Sequence, residues 1–165
     1  MSSALDTKPA DSDVELGIDS EASIAASLSA ILADTYRLMF KTHAYHWNVE
    51  GPLFFSVHKL TEEQYEEMFA AADVVAERIR ALGKLTPTSF AWLGDNSCIK
   101  DANDTLTTGG MIADLRNDHE RVSRRLHALA KVSEKEGDIV TADLATQRST
   151  FHEKAAWMLR SLAAE

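Results

Sequence analysis

Residues 56–82 read SVHKLTEEQYEEMFAAADVVAERIRAL, and this stretch decides the architecture. Val57, Leu60, Gln64, Met68, Ala71, Val75, Ile79 and Leu82 recur at helical spacing, so they predict one helix from about Ser56 to Leu82. Gly83 fits the position just past its C-terminus. A second stripe runs beside the first: His58, Glu62, Tyr65, Phe69 and Asp73. Its middle is aromatic and its ends are metal-ligand types. The helix therefore has two faces to bury, one inward and one against a partner.

The ligand types on that second face have a mirror spacing. His58 and Glu62 are i,i+4 and share a face, as do Asp73 and Glu77. At about 1.5 Å of rise per residue, His58 and Asp73 stand roughly 22 Å apart, too far for one metal centre. His58 and Glu77 are equidistant from a point between Glu67 and Met68, and so are Glu62 and Asp73. A second copy laid antiparallel about a two-fold there sets His58 against the partner's Glu77, and Glu62 against the partner's Asp73. Two identical histidine–carboxylate sites follow, one at each end of the contact. His46, at the end of the preceding helix, adds a second imidazole.

Working outward, helix periodicity starts at Ile24 and continues through Leu28, Ile31, Thr35, Leu38, Thr42 and His46 until Gly51-Pro52 breaks it. Residues 84–107 form a long connection in which Ser89–Leu93 has the makings of a short helix. A third long helix is expected from about Thr108 to Lys135, and a fourth from about Ile139 to Ala163, with Gly137 between them. Four long amphipathic helices with one long middle connection predict an all-α, ferritin-like four-helix bundle. Residues 1–21 carry six acidic residues against a single lysine and few apolar anchors, and read as a flexible acidic tail before a bundle domain over 22–165.

Composition narrows the function. Only 7 Gly and 3 Pro in 165 residues favour helices over a many-turned β fold. A formal charge of −9 disfavours nucleic-acid binding by the surface as a whole and favours attraction of cations. One cysteine, Cys98, leaves no internal disulfide framework and fits a reducing compartment. With no apolar run of membrane-spanning length and no secretory pattern, a cytoplasmic location is expected, nucleoid association being the variant to consider.

The run Tyr45-His46-Trp47-Asn48-Val49-Glu50-Gly51-Pro52, then Phe54-Phe55, Val57-His58, Asp73 and Ala76-Glu77-Arg78, resembles the Dps mini-ferritins. Asp118-His119-Glu120 and Lys154-Ala155-Ala156-Trp157 resemble the family as well. The likeness implies a hollow dodecameric shell, oxidation of Fe(II), often with hydrogen peroxide, and storage of Fe(III) mineral inside. It implies His46, His58 and Glu62 as iron ligands from one subunit, Asp73 and Glu77 as ligands from its partner, and Trp47 as an aromatic close to the centre. Asp138 and Asp143 become candidates for an acidic entry pore; the bland alternative is acidic residues favoured at a helix N-terminus. Summed over a dodecamer, the formal charge is roughly −100, a field that draws in Fe(II).

The chemistry suits these residues. Fe(II) accepts imidazole and carboxylate donors, carboxylates favour the Fe(III) product, and a site with few protein ligands keeps positions open for the oxidant. One departure stands out: the family pattern has Asp where this chain has Glu62. The longer side chain either still ligates or swings to solvent and leaves a shell with impaired ferroxidase activity. DNA compaction is a further alternative. The acidic tail and the ending Ser161-Leu162-Ala163-Ala164-Glu165, which lacks a basic extension, predict little or no DNA binding at neutral pH. His43, His119, His127 and His152 lack matching carboxylates and read as structural or exposed.

Overall fold

The computed structural model describes residues 4–163. Its long helices are α1 (Glu21–Asn48), α2 (Phe54–Ala81), α4 (Thr108–Lys135) and α5 (Ile139–Leu162), with the short α3 (Phe90–Asn96) inside the long connection. A short 3-10 turn occupies Ala4–Asp6. There is no strand among the described residues. The fold is the expected all-α four-helix bundle. α2 starts two residues earlier than the periodicity suggests, because the turn at Gly51 (φ +97°) lets Phe54 N–H donate to Gly51 O at 3.0 Å.

α1 pairs with α2 and α4 with α5, and contact between α1 and α4 joins the two hairpins. All eight positions of the inward stripe on α2 are buried, Gln64 among them. Val57, Leu60, Met68, Val75, Ile79 and Leu82 pack with Leu28, Leu38, Ile112, Leu115, Val122, Leu126 and Leu159 in one core. Buried polar pairs fix the register of the helices. Lys41, almost wholly buried on α1, reaches Asp114 at 2.6 Å and Asp118 at 2.7 Å on α4. Asp34 accepts from Arg125 on α4 and from Ser97 and Cys98 N–H in the connection, which ties α3 down against α1. Across the bundle, Arg148 on α5 forks onto Glu67 on α2.

The N-terminal segment hydrogen-bonds to the ends of two helices. Ser12 N–H donates to Gly83 O at 2.8 Å, Asp11 Oδ1 accepts from Leu85 N–H at 2.9 Å, and Asp19 N–H donates to Glu136 O at 3.0 Å. Ile18 packs against the core. The reason lies at the helix ends. α2 and α4 both finish on left-handed glycines, Gly83 and Gly137, and the carbonyls there have no intrahelical partner. Backbone of the acidic segment supplies the donors, a pairing that needs no side-chain signature. Residues 1–3, at the start of the expected tail, and Ala164-Glu165, in the expected non-basic ending, lie outside the described residues.

Candidate metal centre

His46, near the end of α1, and His58, near the start of α2, meet across the Gly51-Pro52 turn. Their rings stack 3.7 Å apart at 16°. Each Nδ1 reaches the other residue's backbone: His46 Nδ1 lies 2.8 Å from His58 O, and His58 Nδ1 lies 3.0 Å from His46 O. A carbonyl only accepts, so both Nδ1 atoms carry the proton. That leaves each Nε2 as the ring nitrogen a metal would use. Thr61 Oγ1, 3.3 Å from His46 Nδ1 and donating to Val57 O, backs the pair.

Aromatic rings enclose this corner. Phe54 stacks on His58 at 5.0 Å, and Tyr65 stands edge-on to His46 at 5.2 Å. Trp47 does not touch the two ligand rings directly. It stacks on His43 at 3.9 Å, and His43 in turn stacks on Tyr65 at 4.1 Å. The sequence reading gave His43 no part here; its place three residues before His46 was the available signal. Burial, with the neighbouring His46, keeps the His43 imidazole below its ordinary pKa.

Glu62 lies on the same side of α2, but its carboxylate is held by Lys59 at 2.6 Å. The Lys59 hydrogen bond, above all, keeps Glu62 below the usual carboxylate range. The second pair stands apart. Asp73 and Glu77 are exposed further along α2 and form neither hydrogen bond nor ion pair among the described residues. Between the two clusters, Phe69 is 66% exposed. Among the described residues of one chain, no three His, Cys, Asp or Glu side chains converge as a metal-holding group. The chain brings two imidazoles together, sets Glu62 beside them and keeps Asp73 and Glu77 away.

The two pore candidates separate. Asp138 is buried, caps α5 by accepting from Thr141 N–H at 2.8 Å, and pairs with Arg78 at 2.7 Å. Burial alone would raise its pKa, but the contacts to Thr141 and Arg78 outweigh that and lower it. Asp138 thus serves as a helix cap paired with Arg78. Asp143 stays exposed, accepting from Gln147 at 2.6 Å.

The fold has known relatives. The ferritin-like domain family matches residues 25–165. An uncharacterised low temperature-induced protein of Nostoc sp. is 42% identical over 136 residues, covering 81% of this chain and 76% of its own. DNA protection during starvation protein 2 of Bacillus anthracis is 34% identical over 134 residues, covering 81% and 92%. The crystal structure of Dps from Staphylococcus aureus superposes with a TM-score of 0.86 at 28% identity, covering 90% of this chain and 99% of that one. No helix among the described residues is long and apolar enough to cross a membrane.

Proposed function

The chain belongs to the Dps group of ferritin-like proteins, and on that footing we propose that it is a ferroxidase mini-ferritin, with Fe(II) as substrate and hydrogen peroxide as the preferred oxidant. Two ferrous ions each give one electron to one peroxide molecule, whose O–O bond breaks to two hydroxides. The Fe(III) is stored as mineral inside a dodecameric shell, which protects the cytoplasm from oxidative damage.

One observation carries the reading. The reciprocal Nδ1–H bonds of His46 and His58 leave two Nε2 atoms turned away from the backbone at one corner of the chain. The mirror carboxylates, Asp73 and Glu77, wait unpartnered on the same helix. A two-fold midway along α2 brings the halves together, covering the exposed Phe69 between them. In that arrangement His46, His58 and Glu62 of one subunit, with the partner's Asp73 and the partner's Glu77, hold the iron. Trp47 and Tyr65 wall the site. Asp138 and Asp143 remain the entry-pore candidates, and the acidic charge of −9 per chain concentrates the cation.

The test is peroxide-driven Fe(II) oxidation by the intact oligomer. His46→Ala with His58→Ala should abolish the fast phase while leaving a shell-sized particle on light scattering. Unchanged kinetics in that double variant would refute the ligand set. A second reading, a shell with weakened oxidation, is favoured by the Lys59–Glu62 pair, because Glu62 must leave Lys59 before it can ligate. Oxidation rates of Glu62→Asp separate the two.

A further inference from the structure

The middle of the bundle holds a polar layer that the iron chemistry does not use. Thr42 on α1, Gln64 on α2, His119 on α4 and His152 on α5 are each at most 2% exposed. Four contacts place them at one level. Next to Thr42, Lys41 reaches Asp118, the neighbour of His119. His43 stacks on Tyr65, the neighbour of Gln64. Arg148, one turn before His152, forks onto Glu67, one turn after Gln64. His119 Nδ1 meets His152 Nδ1 at 2.9 Å. Each long helix thus contributes one polar side chain to the layer.

The layer's internal bonding does not close. Thr42 Oγ1, both amide atoms of Gln64 and His119 Nε2 are buried with no hydrogen-bond partner among the described residues. Folded proteins leave few such atoms unpaired, and four on three residues at one level of the bundle point to an occupant. A divalent cation is a poor fit. The nearby carboxylates are spoken for, Asp118 by Lys41 and Glu67 by Arg148, so the ion would enter without a counter-charge. Arg148 adds positive charge on the same side, and with burial it helps keep both imidazoles neutral. A neutral ligand that both donates and accepts matches an amide, a hydroxyl and an imidazole nitrogen together.

We propose that Thr42, Gln64, His119 and His152 form a binding site for buried water, in which ordered water bridges the Gln64 amide, the Thr42 hydroxyl and His119 Nε2. The bridge locks the four long helices in register, since a one-residue slip turns a side chain by about 100° and takes it out of the layer. It also braces the His46–His58 corner, because Thr42 lies one turn before His46 and Gln64 lies about one turn beyond Thr61. The inference rests on the fold and stands whether or not the iron reading does.

Diffraction from the full-length assembly, at a resolution that shows single waters, is the first test. It should reveal water about 2.7–3.2 Å from His119 Nε2 and from a Gln64 amide atom. A direct Gln64–His119 bond with no water between them would overturn the proposal, as would a peak with metal anomalous scattering. A double-mutant cycle is the second. If one water serves both side chains, Gln64→Leu and His119→Leu should be strongly non-additive in unfolding midpoint, the double variant no less stable than the worse single; additive losses would overturn it. A metal arm completes the set: the His46→Ala/His58→Ala shell titrated with Co(II) should show no visible absorption lost on replacing His152. A one-per-chain Co(II) site removed by His152→Gln would overturn the water assignment.

Discussion

Acid should weaken this bundle from within, and the buried pair on α4 and α5 sets where. Burial, reinforced by Arg148, pushes His119 down to about 3. Burial also pushes His152 well below the ordinary value, with His119 and Arg148 adding to it. In the unfolded chain both titrate near 6.5. Below that pH the unfolded state binds protons that the folded state refuses. Their stabilising contribution is therefore intact above about 6.5 and is lost progressively as pH falls toward the folded values. For His119 alone the loss is about 2 kcal/mol by pH 5, at about 1.4 kcal/mol per pH unit, and His152 acts in the same direction. Against a typical domain stability of about 5–15 kcal/mol this is a large share. The assay is urea unfolding from pH 7.5 to 4.5, at fixed ionic strength and protein concentration, comparing wild type with His119→Gln/His152→Gln. Glutamine does not titrate, so below pH 6.5 the variant should show a shallower fall by up to two protons. Parallel curves would refute the placement of a neutral histidine pair in the core.

Four further outcomes follow from single contacts. Gly83→Ala puts a methyl 2.1 Å from Ser12 O at a backbone φ of +77°, and should cost roughly 1–2 kcal/mol from the left-handed backbone alone. The docked segment should also release, read as faster proteolysis before α1. Asp138→Ala removes the α5 cap and leaves Arg78 without its carboxylate, for a loss of roughly 2–4 kcal/mol in thermal unfolding; Asp138→Asn should restore the smaller, capping part. Lys59→Met frees Glu62, and should raise Co(II) affinity at the half-site by up to about fivefold in calorimetry, the ceiling for an exposed ion pair. Linear DNA should show no shift at physiological salt and micromolar protein, because the −9 chain repels phosphate; a salt-sensitive shift would overturn that.

Periodicity made the bundle legible. The inward stripe of α2 was readable because each of its eight positions had to face the core, and a helix leaves no other way to arrange them. The docking of residues 11–19 was not, since two of its bonds are backbone N–H groups meeting helix-end carbonyls, which any residues supply, and the third sets Asp11 on a backbone N–H far away in sequence. Asp138 was ambiguous for a related reason. An acid before a helix serves equally as a cap or as a surface charge, and only its distance to Arg78, far away in sequence, decides. The buried layer escaped for the opposite reason: His119 and His152 were noticed but had no visible partner, because each is the other's.

The candidate site shows why half of it is readable in one chain and half is not. The His46–His58 unit is local, made by a short turn and closed by two backbone bonds, so one chain builds it completely. Its carboxylate complement is a helix length away on the same α2 and cannot fold back, since a helix is stiff over that distance. The only way for Asp73 and Glu77 to reach an imidazole is for another chain to present them. On the proposed reading, a single chain carries both halves of two different sites and completes neither. Iron affinity should depend on association itself: subunits held apart by Phe69→Arg in the exposed patch should lose high-affinity Co(II) binding while His46 and His58 stay intact. Tight binding by such monomers would refute the shared site outright.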